Sequence, residues 1–170
     1  MVKLFRCRIC GDPYIGETKP SRCPFCGAYE KIIVEAKDYN ETFDVVLNEK
    51  DRINSQKALD VEISNSEFYF CAAEMTNDEE GKQLFKALGK VEAEHASIWE
   101  KILKRSKVSI QKSDKCSKSY KTNLKESHER ETRAIKFYIQ ASKESKNQRT
   151  KQIFEALVDV EKDHLQFSKD

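Results

Sequence analysis

Two stretches of this chain, sixty-nine positions apart, carry the same helix. Residues 82–95 read KQLFKALGKVEAEH, and residues 151–164 read KQIFEALVDVEKDH. Eight of the fourteen positions are identical, and Leu84/Ile153, Lys86/Glu155 and Glu94/Asp163 keep size or polarity, so the segment is duplicated. Both copies keep Glu-x-x-His, as Glu92 with His95 and Glu161 with His164. Three residues apart on a helix is one face, so each pair projects in one direction. The same offset pairs Glu62 with Glu131, each followed by an aromatic pair, Phe68-Tyr69 and Phe137-Tyr138. Four helices then offer four carboxylates and two imidazoles. This is the ligand set of a dinuclear carboxylate centre inside a helix bundle, where two helices give a Glu and two give Glu-x-x-His. A lone Glu-x-x-His occurs often by chance on solvated faces. Two copies in register, each with a glutamate thirty residues upstream, do not. The neighbours Leu59, Val91, Ile135 and Val160 are apolar, and carboxylates beside them are costly to bury without a cation.

The amino-terminal region is a different material. Residues 1–36 hold three of the five Gly, all three Pro and four of the six Cys. Short β-prone pieces at 4–8 and 31–34 lie between turn signals. Such a segment is too small to fold on an apolar core alone and needs a metal to hold it. Cys7-x2-Cys10 and Cys23-x2-Cys26 supply four thiolates, with Gly11 and Gly27 after each pair where the backbone bends back. From spacing alone, a structural zinc ribbon and an iron site fit equally. Cys71 and Cys116 have no partner at ligand spacing, and Cys71, beside aromatics, reads as a small core residue.

The rest of the chain divides simply. Residues 37–51 are polar and read as a linker, and 52–170 as the bundle. Apolar spacing predicts helices over 52–75, 79–106, 119–144 and 148–167. Short turns at 76–78 and 146–147 make two antiparallel hairpins. The polar stretch 107–118 reaches at most ~40 Å extended, against ~38 Å for a 25-residue helix. It can just run the length of the bundle as a long crossover. Charged residues are 35 % of the chain, yet the net charge is only +2, and no basic stripe argues for nucleic acid. No apolar run nears the roughly 20 residues of a membrane span, and the first residues lead straight into the Cys motif. The expectation is a soluble, cytoplasmic protein with no membrane or nucleic-acid partner.

With FRCRICGDPYIG and CPFCGA ahead of the duplicated Glu-x-x-His helices, the chain resembles the rubrerythrins, with the two domains in reversed order. The resemblance covers nearly the whole chain and is weakest at 37–51 and 107–118. It implies a mainly α fold: a ferritin-like di-iron four-helix bundle behind a small rubredoxin-like ribbon. It implies that Glu92 and Glu161 bridge two irons, that Glu62 and His95 complete one, and that Glu131 and His164 complete the other. It favours iron over zinc at Cys7, Cys10, Cys23 and Cys26. Tyr69 and Tyr138, seven residues after their glutamates, would hydrogen-bond to ligating carboxylates, although a buried Tyr is as often packing. The implied activity is reduction of hydrogen peroxide to water, with electrons delivered through the four-cysteine iron from an external NAD(P)H-dependent reductase or rubredoxin-type donor. A dioxygen-consuming ferroxidase or oxidase, or a non-catalytic storage protein with a zinc ribbon, are the competing readings. The family pattern also implies a head-to-tail homodimer in which one chain's ribbon faces the other's di-iron site.

One position departs from that pattern. Rubrerythrins usually carry a further carboxylate three residues after the third-helix glutamate, and here that residue is Ala134. Glu126 and Glu129 have suitable mutual spacing but lie outside the repeat register. The first-helix counterpart of Ala134 is Asn65. His128, one turn before Glu131, is a further candidate near the site without family precedent; lone polar residues on helices are more often surface or satisfied core.

Overall fold

A computed structural model describes residues 1–40 and 42–168. Three short antiparallel strands, β1 (Lys3–Cys7), β2 (Pro13–Gly16) and β3 (Ile33–Glu35), form a sheet in the order β2-β1-β3. Two 3-10 turns, Glu30–Ile32 and Ala36–Asp38, flank β3. Four helices follow: α1 (Glu49–Met75), α2 (Glu79–Leu103), α3 (Tyr120–Glu144) and α4 (Gln148–Gln166). No helix among the described residues is long and apolar enough to cross a membrane.

Each helix begins where a short polar side chain takes over an orphaned backbone N–H. Asn48 accepts from Asp51, Asp78 from Gly81, Ser119 from Thr122, and Asn147 from Arg149 and Thr150. The cap at Asn48 starts α1 three residues before its apolar periodicity begins. Asp51 at N3 is fully buried there, accepting hydrogen bonds from Ser145 Oγ (2.5 Å), the Asn147 backbone N–H (3.0 Å) and Thr150 Oγ1 (3.2 Å). What reads as the end of a linker is therefore the clamp that holds α1 to the α3–α4 turn. At the other end α2 stops at Leu103, earlier than its periodicity suggests, because Lys104 takes a left-handed conformation (φ 53°) and closes the last turn.

The crossover 104–119 runs back along α1. The Val108 N–H donates to Glu100, the Gln111 N–H to Glu67 (2.9 Å), Lys112 pairs with Glu74 (2.9 Å), and the Asn77 N–H donates to the Lys118 carbonyl (3.3 Å). This path corrects the reading of Cys71 as an unpartnered core residue: Cys116 is carried against α1 and forms a disulfide with it.

The ribbon docks along the side of the bundle, on α2 and α4. Ile9, Ile33 and Phe5 join one apolar cluster with Trp99, Ile102, Phe154 and Leu157. Lys101 donates to the Cys10 carbonyl (2.8 Å), Arg149 to the Ile9 carbonyl (3.0 Å), and Arg22 pairs with Asp163 (2.7 Å). A second cluster of Phe68, Tyr69, Ala72, Phe85 and Leu88 fills the far end. Between the two apolar clusters lies a polar centre.

Candidate metal centres

Glu62 of α1, Glu92 and His95 of α2, Glu131 of α3, and Glu161 and His164 of α4 converge on that centre. The four glutamates and His95 are fully buried, and His164 is 6 % exposed. Their donor atoms fall into two overlapping groups, each spanning no more than 4.8 Å. One is Glu62, Glu92, His95 and Glu161; the other is Glu92, Glu131, Glu161 and His164. Glu92 and Glu161 belong to both, as carboxylates shared between two ions do. His95 Nδ1 lies 3.2 Å from Glu161, 3.3 Å from Glu92 and 3.6 Å from Glu62. His164 Nδ1 lies 2.8 Å from Glu161 and 3.0 Å from Glu92.

These groups fit metal ions better than they fit one another. Both oxygens of Glu92 and Glu161, one each of Glu62 and Glu131, and both Nδ1 atoms are buried without a hydrogen-bond partner of acceptable geometry. A single ring nitrogen cannot satisfy three carboxylates at once, whereas a cation at their focus can. Four carboxylates with two neutral imidazoles carry the charge that two divalent ions cancel, and uncompensated burial of that charge is prohibitive. The proton affinities express the same crowding. Burial, followed by the charge of Glu92, pushes the Glu62 carboxyl well up; burial with Glu161 and Glu92 does so for Glu131. Burial also opposes charge on Glu92 and Glu161, but the imidazoles outweigh it and hold both below the usual carboxylate range. Burial disfavours both imidazolium ions, yet the surrounding carboxylates keep the two histidines well above their ordinary value.

Two phenols complete the cradle crosswise. Tyr69 of α1 donates to Glu131 of α3 and contacts Ser127 Oγ at 2.8 Å; Tyr138 of α3 donates to Glu62 of α1. Burial first, then the adjacent glutamate charge, raises both phenols well above their usual range, so they stay donors. His128 lies elsewhere, with Nδ1 3.2 Å from Ser168 Oγ beyond the end of α4. Glu126 and Glu129 form ion pairs with Arg130 and Arg133 on the outer face of α3. Ala134 and Asn65 are both buried, one turn beyond Glu131 and Glu62.

In the ribbon, Cys7 and Cys26 Sγ are 3.7 Å apart, as are Cys10 and Cys23. A tetrahedral ion bound at about 2.3 Å has sulfur–sulfur edges of about 3.8 Å, so the four thiols stand where ligands would. The Ile9 and Asp12 N–H groups point at Cys7 and Cys10 sulfurs (3.4 Å each). Gly11 (φ +85°) and Gly27 (φ +73°) make the left-handed bends after each pair, which a side chain would strain.

The ribbon and the bundle meet at one contact that the sequence pattern did not reveal. The ring nitrogen Nε2 of His95 lies 3.0 Å from the carbonyl oxygen of Cys26. That carbonyl accepts, so Nε2 carries a hydrogen and Nδ1 is the nitrogen that faces the carboxylates and would take a metal. One residue, Cys26, thus offers its sulfur to one centre and its carbonyl to a ligand of the other. No motif signals this; it depends on which helix face the ribbon covers.

A carboxylate-rich dinuclear bundle joined to a four-thiolate ribbon defines a class of metalloprotein. Residues 55–170 match the family model of rubrerythrin, and the chain belongs to the rubrerythrin family, whose members are generally oxidoreductases. Reverse rubrerythrin-1 of Clostridium acetobutylicum is 30 % identical over 117 residues, covering 60 % of this chain. The match spans 62 % of that relative's length. No solved structure matches the chain.

Proposed function

We propose that this chain reduces hydrogen peroxide to water at the bundle centre, with electrons arriving through the four-cysteine site. The observation that carries the reading is the hydrogen bond from His95 to the Cys26 carbonyl. Iron held by the bundle residues would supply the two electrons that, with two protons from solvent, convert peroxide to two waters, and iron held by the four cysteines would replace those electrons one at a time. The residues divide the remaining work. Glu92 and Glu161 are placed to be shared by both metals, while Glu62 with His95 and Glu131 with His164 hold one each. Carboxylates suit this, being hard, anionic and able to change binding mode. Tyr69 and Tyr138 hold Glu131 and Glu62 in place through O–H donors that remain protonated. His95 bridges the centres through its ring, so a thiolate, one cysteine backbone, one hydrogen bond and one imidazole separate the two metal sites.

Anaerobic assay with a supplied reductase tests the reading. The wild type should consume peroxide faster than dioxygen, and Cys10→Ser should keep the bundle metals while losing steady-state turnover. Faster turnover with dioxygen identifies an oxidase, and zinc in the ribbon removes the relay. Cytoplasmic location and a head-to-tail homodimer belong to the same proposal. In the single chain the ribbon lies on its own bundle, and the same face would receive a partner's ribbon if the domains exchange. Mixing Cys10→Ser with Glu92→Ala separates these arrangements. Recovered activity places the relay between chains, and no recovery despite subunit exchange places it within one.

A further inference from the structure

Three sides of the bundle centre are closed. The ribbon covers α2 and α4, with Cys26 on His95 and Gly27 against Val160. Trp99 packed at a tilt against Phe154 (ring centroids 4.5 Å apart) seals one end, and Phe68, Tyr69 and Phe85 seal the other. The seam between α1 and α3 is open, with a groove of about 500 Å³. Its walls include Val61, Phe137 and the stem of Lys57, and its lining includes Asn65 and Ala134, the two equivalent positions of the repeat. Each lies one helical turn beyond a metal-site glutamate, Asn65 after Glu62 and Ala134 after Glu131, so the groove's buried lining is adjacent to the carboxylates.

Asn65 gives the groove its chemistry. The residue is only 3 % exposed, and Oδ1 accepts from Arg130 Nη1 at 3.2 Å. Arg130 is itself anchored by Glu126 (2.8 Å) and lies over the Phe68 ring. That contact fixes which way the carboxamide faces: the oxygen is taken, and the Nδ2 donor is left buried with no partner. Buried amide donors are rarely orphaned in folded proteins, so an unpaired one lining a cavity marks a place for an acceptor. Ala134 opposite contributes only a methyl group, which leaves room for it.

We infer that the α1/α3 groove is the entrance to the metal centre for a small polar molecule, and that the Asn65 carboxamide binds it on arrival. Identifying that molecule as hydrogen peroxide rests on the function proposed above; the groove does not. A peroxide oxygen accepts from Nδ2, and Val61, Ala134 and Phe137 present apolar surface among the charged residues of the lining, Lys57, Asp60, Arg130 and Arg133. Asn65 acts by binding and orienting, with no covalent step of its own.

The test uses the full-length, metal-loaded protein and two probes. Azide binding, followed optically, reads access without turnover. Peroxide added to anaerobically reduced protein reads the second-order reaction. Ala134→Phe should slow both at least tenfold by filling the groove's inner end. Asn65→Leu should slow the peroxide step at least tenfold while reduction by the external donor is unchanged, and Asn65→Gln should stay within threefold of wild type. Ser64→Trp narrows the mouth from an exposed position and decides the matter if the buried substitutions lose metal; it should slow azide severalfold. Wild-type rates for both probes in Ser64→Trp and in metal-replete Asn65→Leu and Ala134→Phe overturn the inference. Slowed azide binding in the variants of a protein that reduces no peroxide keeps the groove and removes the peroxide reading.

Discussion

The two halves of the bundle, α1–α2 and α3–α4, descend from one repeat and yet face different worlds. Their ligands match position for position: Glu62 with Glu131, Glu92 with Glu161, His95 with His164, and Tyr69 with Tyr138, whose phenols serve the opposite half. Their surroundings do not match. His95 is fully buried against the Cys26 carbonyl, whereas His164, also buried, keeps 6 % of its surface exposed. Asn65 stands where the other half has Ala134, and Cys71, two residues after Tyr69, is tied to Cys116 where the other half has Gln140. Duplication supplies a pair of equivalent candidate metal sites, and docking of the ribbon then gives them unequal surroundings.

The symmetric part is where substitution should do most damage. Glu92→Ala and Glu161→Ala each remove a ligand common to both groups, so each should abolish binding of both metals and all turnover. Glu62→Ala and Glu131→Ala should each empty one position only. Metal analysis after anaerobic reconstitution checks this, and one metal retained in Glu92→Ala breaks the shared-ligand assignment.

The disulfide belongs to one half alone. Closing a loop between residues 45 apart is worth about 4 kcal/mol in the chain-entropy account. Cys71→Ser should therefore lower unfolding stability by up to about that amount, through the crossover, with the metal content of both sites intact. Reductant should reproduce the loss in the wild type and add nothing in the variant. Equal stability of the two proteins under oxidising conditions would show that the crossover is held by Glu67, Glu74 and the Asn77 N–H without help.

Docking of the ribbon can be broken at Gly27. A methyl group there would sit 2.9 Å from Val160 Cγ1, on a backbone already at φ +73°. Gly27→Ala should push the ribbon off α4 and loosen the contact of the Cys26 carbonyl with His95. Steady-state turnover should fall several-fold, while the reaction of pre-reduced bundle with peroxide does not change. Val160→Ala makes room for the methyl and should restore part of the rate. The equivalent loss in both assays would place the fault in the bundle instead of the relay.

The six side chains that converge in the bundle were legible because metal-ligating residue types recur at helical spacing, and the repeat supplied the register. The starts of α2, α3 and α4 fall within a residue of where the apolar spacing and turns put them, whereas α1 begins three residues early, because its cap Asn48 sits inside a polar stretch. The rest depends on tertiary paths. Cys71 and Cys116 meet because the crossover folds back along α1, which no local pattern encodes. A symmetric repeat also cannot tell which histidine faces the ribbon. Lys101 and Arg149, which hold it there, look like ordinary surface cations in the sequence.

The smallest effect concerns how firmly the ribbon is held. Glu94, beside His95, faces Asp12 of the ribbon, and Lys101 reaches toward both, 3.8 Å from Glu94 and 3.9 Å from Asp12. Burial, then the hydrogen bond and charge of Asp12, pushes the Glu94 carboxyl up to about 8, against an ordinary 4.5. A carboxyl whose affinity for the proton rises on folding stabilises the docked state while it is protonated. That contribution is complete below about pH 4.5 and fades as pH climbs through about 8. Two carboxylates then face each other across the interface with one ammonium between them. The rate of electron delivery from ribbon to bundle should accordingly decline from pH 6 to 9, by a few-fold at most because the pair is only partly shielded from solvent. Glu94→Gln removes the titrating group and keeps its shape, so its rate should be flat over that range. In the duplicate, Asp163 occupies the same position and pairs instead with Arg22, so Asp163→Asn should leave the pH profile as it is. A profile that flattens in Asp163→Asn and persists in Glu94→Gln would assign the sensitivity to the other half of the repeat.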